Sequence, residues 1–293
     1  MEDGRIAKVG PNPDHPGSNG AFCVKGIRAL PELTYSPGRI ASPMRRAGPR
    51  GSGQWDEISW DDALDEMADR LLAVRDEHGS ESLIGAVSSA FFSRGAMVAL
   101  LMRSLGSPNW MMNQDLCGGC RALSDKVTGL GIVGGEDVEN TRCALIVGRN
   151  PSAADPVQWM GLKRARDKGA KFVVIDPAET PAAKAADIWL RPKPGSDAAI
   201  ALAMIHVIIE ENLYDRNFVE SWTRGFAELT ERAAAYTPAR AADLSGVSAD
   251  DIVAAARLYA DGPSCFVSGH GIDAFSNGVQ TFRAFHCLVA ITG

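Results

Sequence analysis

An α/β fold organised on a parallel sheet is the class this sequence predicts, with a dinucleotide-binding-like domain as its main unit. Three observations carry that expectation. From Cys143 onward, short apolar strand-like runs alternate with segments of helical length, the order that builds βαβ units. Each strand-like run is followed at once by a cluster of Gly, Pro, Asp or Asn, where an open parallel sheet places its ligand site. The third is bulk: 293 residues, 45% hydrophobic and 23% charged, describe a globular chain with a sizeable core and a length beyond one compact unit.

The elements follow in order. Residues 1–50 are rich in glycine, proline and arginine ("GPNPDHPGSNG", "SPGRIASPMRRAGPRGSG") and read as loops with short strands, "DGRIAKV" being strand-like. Ser59-x-x-Asp62 is a capping-box signature, and Ala63, Leu64, Met67, Leu71 and Val74 then recur at helical spacing. "SLIGAV" reads as a short buried strand and "GAMVALLMRSLG" as an apolar helix. "CALIVG", "KFVVID", "DIWLRP" and "SCFVSG" are the strands of the regular part. Between and after them, helices are predicted over "DPVQWMGLKRARDKG", "DAAIALAMIHVIIEEN", "SADDIVAAARLYAD" (capped by Ser248 and Asp251) and "VQTFRAFHCLVAIT". No internal repeat is present. The chain opens as though in mid-sheet and stops directly after an apolar helix, so it is expected to be a segment of something longer.

Several function classes are disfavoured. A net charge of −6 argues against general affinity for nucleic acid or anionic lipid. No apolar run has the length of a membrane span, and "MEDGRIAKVG" lacks the apolar core of a signal peptide, so a cytoplasmic location is expected over a periplasmic one. The six cysteines, at 23, 117, 120, 143, 265 and 287, do not form a disulfide framework in so long a chain. Cys117 and Cys120 stand as C-x-x-C in "MMNQDLCGGCRALSDK", a spacing shared by zinc half-sites, redox dithiols and iron–sulfur sites.

The strand ends supply the candidate binding residues. They are Gly148-Arg149-Asn150-Pro151, Asp176-Pro177-Ala178-Glu179-Thr180, Lys193-Pro194-Gly195-Ser196-Asp197 and Gly269-His270-Gly271. Each combines small residues with a polar group that can bond a ribose, a base edge or a phosphate. Turn formation alone accounts for any one of them; four at successive strand ends point to a nucleotide-like ligand. Neither G-x-G-x-x-G nor a Walker A motif occurs, which disfavours an ordinary NAD or ATP site.

Longer strings carry a resemblance: Cys23-Val24-Lys25-Gly26, "SPGRI" with "PMRRAGPRGSGQWDEISWDDAL", "IVGRNPSAADP", "VVIDPAETPAAKAAD" and "PKPGSDAAIALAM". Over essentially its whole length the sequence resembles the molybdopterin-guanine-dinucleotide oxidoreductases, the family of formate dehydrogenases, periplasmic nitrate reductases and dimethyl sulfoxide reductase. The formate dehydrogenases are nearest in feel, from "HVIIEENLYDRNFVESWTRGFAEL" through "TPARAADLSGVSADDIVAAARLYA". The resemblance implies three parts: residues 1–42 as a remnant of an iron–sulfur-bearing domain, 43–112 as the start of an incomplete α/β lobe completed by later sequence, and 113–293 as the α/β cofactor-binding domain. It implies two molybdopterin guanine dinucleotides, Mo or W, and a [4Fe–4S] cluster.

Site residues follow from the same resemblance. In many members one protein thiolate holds the metal from a Cys-x-Gly before a helix; Cys117-Gly118-Gly119 fits, so Cys117 is the implied Mo/W ligand and Cys120 a bystander. Soft thiolate suits a metal already held by dithiolene sulfur. Cys23 is similar to the last of four cluster cysteines, the other three of which would precede residue 1, and Lys25 to the lysine between cluster and pterin. Gly148, Asn150 and Pro151 would lie against the cofactor, Asp176-Pro177 and Thr180 would face ribose and phosphate, and Gly195 and Asp197 would hold a guanine edge. Gly269 and Gly271 would admit the second pterin. Arg283 aligns with an arginine near the metal that suits an oxyanion. Formate dehydrogenases have a His directly after the metal ligand; here that position is Gly118, leaving His270 and His286 as the histidines that could substitute.

The implied activity is two-electron oxidation or reduction of a small molecule, formate-like in one version, with electrons passed through the cluster to a partner subunit or carrier. The alternatives are a non-redox hydratase on the same cofactor and a degenerate relay or structural subunit.

Overall fold

A computed structural model describes residues 2–18, 20–88, 92–112, 117–130 and 136–293, with backbone only at 92–94. The chain divides into two compact units: residues 1–9 with 24–114, and residues 10–23 with 115–293.

The smaller unit contains α1 (Val24–Tyr35), β1 (Met44–Arg46), β2 (Trp55–Glu57), α2 (Trp60–His78), β3 (Gly85–Val87), α3 (Phe92–Ser104) and β4 (Trp110–Met112). β1 and β2 pair antiparallel, β3 and β4 parallel. Ser59 caps α2 as its motif predicts: its Oγ accepts the Asp62 N–H at 3.0 Å and donates to the Asp62 carboxylate at 2.7 Å. Two sequence expectations are corrected here. The loop-rich N-terminal segment contains a helix, α1, because Val24, Ile27, Leu30 and Thr34 recur at helical spacing despite the glycines and prolines around them. "DGRIAKV" forms no strand; it contributes only an isolated bridge between Glu2 and Arg5.

The larger unit holds α4 (Gly119–Thr128), β5 (Cys143–Val147), α5 (Pro151–Ala154), α6 (Pro156–Asp167), β6 (Lys171–Ile175), α7 (Pro181–Lys184) and β7 (Ile188–Leu190). It continues with α8 (Asp197–Glu210), α9 (Arg216–Trp222), α10 (Phe226–Ala234), α11 (Pro238–Ser245), α12 (Ala249–Ala260), β8 (Ser264–Ser268) and α13 (Gly278–Thr292). The four strands form one parallel sheet in the order β7-β6-β5-β8.

Every residue of β5 is buried, because its two faces enter two cores. Cys143, Leu145 and Val147 pack with α8, α12 and α13; Ala144 and Ile146 pack with Leu162 and Phe172 on the opposite face. A continuous apolar strand is what a parallel sheet covered on both sides requires. α8 is apolar around most of its circumference for the same reason, and it packs against α10, α11, α12 and α13.

A candidate cofactor site at the strand tips

The register fixes the site. Val147 pairs with Ile175 on one side and Ser268 on the other, and Ile175 pairs with Leu190. Gly148, Asp176, Arg191 and Gly269 therefore leave the sheet along one edge. From β5 the order runs outward through β6 and β7, whereas β8 lies on the other side of β5. The connections leave in opposite directions between β5 and β8, which opens the crevice where such sheets bind ligands.

Three glycines shape that crevice. A Cβ on Gly269 would stand 2.3 Å from the Gly148 carbonyl oxygen and 2.7 Å from the Arg149 Cβ. One on Gly271 would stand 2.7 Å from the same oxygen, which accepts the Gly271 N–H at 3.1 Å. These glycines let the two strand tips close on each other. Arg149 clamps the seam, donating to the Ser268 carbonyl at 3.0 Å and to Asp155 at 3.1 Å. Asn150 and Pro151 open α5, with Asn150 Oδ1 accepting from the Ser152 hydroxyl at 2.7 Å.

Beside this seam two carboxyls are buried with no salt-bridge partner among the described residues. Asp176 accepts the Ala178 N–H at 2.8 Å, and burial raises its pKa. Asp197, at the start of α8 and only 5% exposed, is pushed up to about 6 by burial, with the charge of Asp176 adding to the effect. The backbone N–H groups of Asp197 itself and of Gly195 oppose that rise in part. Buried carboxyls with spare acceptor capacity fit a ligand that brings N–H or O–H donors, as a base edge and a ribose do. Thr180 is buried as the cap of α7, accepting the Ala183 N–H at 3.1 Å, and the Pro177 carbonyl accepts from Arg191 at 3.0 Å.

The loop after β8 joins the clusters, a role the sequence reading missed. Its Gly269 and Gly271 meet Gly148. Its Phe275 lies 3.3 Å from where a Gly195 Cβ would be, and Asn277 donates to the Gly195 carbonyl at 2.9 Å. Its His270 and Asp273 meet the start of α4, as Asp273 Oδ1 accepts the Arg121 N–H at 3.2 Å and its carbonyl accepts the Cys120 thiol at 3.2 Å. The signal was present only as an Asp three residues after a His, which is also an ordinary turn.

Cys117 is half-buried directly before Gly118, whose left-handed backbone (φ 86°) turns the chain into α4. Cys120 lies against Asp273 and Gly278. Among the described residues no group of three or more His, Cys, Asp and Glu gathers as a metal site. A metal carried by pterin sulfur needs only one protein thiolate and fits this donor set; a four-thiolate cluster does not fit the described residues by themselves, although Cys23 is half-buried. Lys25 is exposed on α1 in the smaller unit. Arg283 lies on α13 facing a groove of about 820 Å³ with Arg224, Arg232 and Tyr236, whose lining includes Asn277 of the loop after β8. His286 is buried between α4 and α13, bonded to Ser124 at 3.1 Å and 3.4 Å from Asp125; burial lowers its pKa.

A parallel sheet with a reversal in strand order, closed tips and buried acceptors is an α/β arrangement suited to an extended ligand along one edge. The chain belongs to the molybdopterin oxidoreductase family, whose model matches residues 39–293. It is 36% identical over 298 residues to an acetylene hydratase of Syntrophotalea acetylenica, covering 99% of this chain and 40% of that protein. It is 38% identical to the thiosulfate reductase molybdopterin-containing subunit PhsA of Salmonella typhimurium (96% and 37% covered) and 33% identical to formate dehydrogenase H of Escherichia coli (94% and 40%). The solved acetylene hydratase from Pelobacter acetylenicus superposes with a TM-score of 0.79 at 33% identity, over 100% of this chain and 39% of that one. The chain thus spans about two fifths of the length of these relatives. Membership of the family implies a molybdopterin holding Mo or W. Among the described residues no helix is long and apolar enough to cross a membrane.

Proposed function

We propose that this chain is the cofactor-gripping part of a molybdenum- or tungsten-dependent oxidoreductase that uses paired molybdopterin guanine dinucleotides. The observation that carries this reading is the convergence of the loop after β8 on the α4 entrance, the Gly148 seam and the Gly195 turn. That convergence puts the Cys117 segment at the same edge as the buried acceptors. In this reading Asp197 and Asp176 receive the donors of a guanine and a ribose, the glycine seam lies against the pterin, and Cys117 supplies the thiolate. When bound, the metal centre supplies two-electron redox chemistry to a small substrate; the protein's part is to hold, orient and exclude water. Formate-like substrates, a [4Fe–4S] cluster with Cys23 as one ligand and Lys25 nearby, an electron-accepting subunit or carrier and a cytoplasmic setting belong to the same proposal.

A second reading, hydration without net redox, is favoured by the likeness to acetylene hydratase along the whole chain. One set of measurements separates the two. Purified protein is analysed for Mo, W and acid-released guanine, then assayed with formate, thiosulfate and nitrate against a viologen dye and with acetylene alone. The oxidoreductase reading expects metal, guanine and dye turnover; product from acetylene without dye turnover would select the hydratase. Cys117→Ala should lower turnover by about 100-fold or more, and Cys120→Ala by less than about threefold. The reverse order would overturn the ligand assignment.

A further inference from the structure

We infer that His286 is a positioning residue for Cys117: it latches α4 to α13 and so sets the direction from which that helix presents the thiol, an inference that rests on Cys117 holding the metal. The first ground is the face by which α4 is held. Its Leu123 and Val127 are 50% and 57% exposed, whereas Ser124 and Asp125 are its buried residues. An ordinary surface helix does the reverse and buries its apolar stripe. Ser124, Asp125 and Thr128, neighbours on one face at helical spacing, instead turn onto α13, where the His286 ring meets all three. Apolar contact has no direction; a hydrogen-bonded contact does.

The second ground is that the contact is complete. Burial favours the uncharged ring, so one nitrogen donates and the other accepts. His286 Nε2 lies 3.4 Å from Asp125 Oδ1, and a carboxylate only accepts, so the ring proton belongs on Nε2. Nδ1 then accepts from the Ser124 hydroxyl at 3.1 Å, since the Thr128 hydroxyl donates to the Ser124 carbonyl at 2.9 Å. Phe266 and Phe282 flank the ring, with centroids 6.4 and 6.0 Å away.

The third ground is the path to the thiol. The Gly118 carbonyl accepts the Ala122 N–H at 2.8 Å, which ties the residue bonded to Cys117 into the first turn of α4. The loop after β8 holds that turn through Asp273, which bonds Cys120 and Arg121. One anchor near the end of a ten-residue helix leaves it able to pivot; the second, at Ser124 and Asp125, fixes its axis. Releasing the second anchor swings Gly118 and, with it, Cys117.

Two variants separate this role from packing. Glutamine carries an N–H donor and an oxygen acceptor on either side of one carbon, as the imidazole does, whereas leucine only fills space. The first test needs no cofactor. Native-state alkylation of Cys117 by iodoacetamide, read by mass spectrometry, should be about fivefold or more faster in His286→Leu and near wild type in His286→Gln. The Ser124→Ala/Thr128→Val pair, which empties the α4 side of the contact and keeps the ring, should act as His286→Leu does and decides the question if that variant fails to fold. The second test uses the cofactor-loaded protein with whichever compound of the panel above it turns over. The latch-breaking variants should lose about 10-fold or more in kcat with KM changed far less, and His286→Gln should keep most of it. Wild-type alkylation or wild-type kcat in both latch-breaking variants, whatever their stability to urea, overturns the inference, as does a His286→Gln protein as impaired as they are. A wild-type protein without metal and guanine, or a Cys117→Ala protein that keeps its turnover, overturns the underlying ligand reading and this inference with it.

Discussion

Asp197 stands between two opposing demands. A ligand bearing N–H donors needs an unpaired acceptor there, yet burial of that acceptor works against the folded chain until the ligand arrives. Its pKa is about 6 against an ordinary 3.8, so the folded chain holds the proton more tightly than the unfolded one. The stability this provides is full below the ordinary value and is lost as pH climbs through about 6. The difference corresponds to on the order of 3 kcal/mol at neutral pH. Asp197→Asn removes the charge at constant size. It should raise the cofactor-free chain's urea-unfolding free energy by up to about 3 kcal/mol near pH 7.5 and by little near pH 4. The same variant should lower guanine content in cofactor-loaded protein. An equal effect at both pH values would show that the carboxylate is already compensated. Asp197 was legible in the sequence because it follows a Pro-Gly turn and opens a helix. Its neighbour across the site, Asp176, was legible only as a separate turn, since sheet register alone brings the two together.

At the scale of elements, the β5–β8 seam is where space, more than backbone angle, demands glycine. Gly269 has φ −127°, a conformation open to any residue, but its Cβ would collide with the backbone of residues 148 and 149. Gly129 is the converse: φ 76° at the end of α4, with nothing within 4 Å of a Cβ. Gly129→Ala should therefore cost about 1 kcal/mol through backbone strain. Gly269→Ala forces the strand tips apart and should cost about 3 kcal/mol or more, with a matching fall in cofactor content. Denaturant titrations of the two variants check the order, and a cheaper Gly269→Ala would mean the seam is looser than the close approach of Gly148 and Gly269 implies. The strands and long helices were legible because the apolar runs are short, continuous and bounded by turn residues. The helix over 24–35 was not, because proline and glycine dominate its surroundings. Helices α9 to α11 went unassigned because each is short and takes its place by packing, α9 against α13 and α10 and α11 against α8.

At the scale of the whole molecule, the two units differ in what they bury. The larger unit has strands β5 and β6 sealed between two apolar layers, with Ala144, Leu145, Ile146 and Val173 at 0% exposure. In the smaller unit neither α1 nor α2 buries a single residue. The apolar stripe read from sequence on α2 is formed but uncovered, with Leu64 57% and Met67 60% exposed. Isolated helices of this length are marginal in water, since nucleation is costly and most helical stability comes from packing an apolar face. α2 has its Ser59 cap and an Arg70–Glu66 pair at helical spacing, local contacts that do not replace a core. Hydrogen exchange followed by mass spectrometry should therefore find the amides of α1 and α2 exchanging about 100-fold or more faster than those of β5 and β6. Because exchange from β5 and β6 requires global opening of the larger unit, raising urea should accelerate them steeply while leaving α1 and α2 nearly unaffected. Equal protection in α2 and β5 would mean that the Leu64–Met67 face is covered in solution. The exposed stripe would then be a contact surface, and masking it with Leu64→Lys would be expected to restore fast exchange in α2 alone.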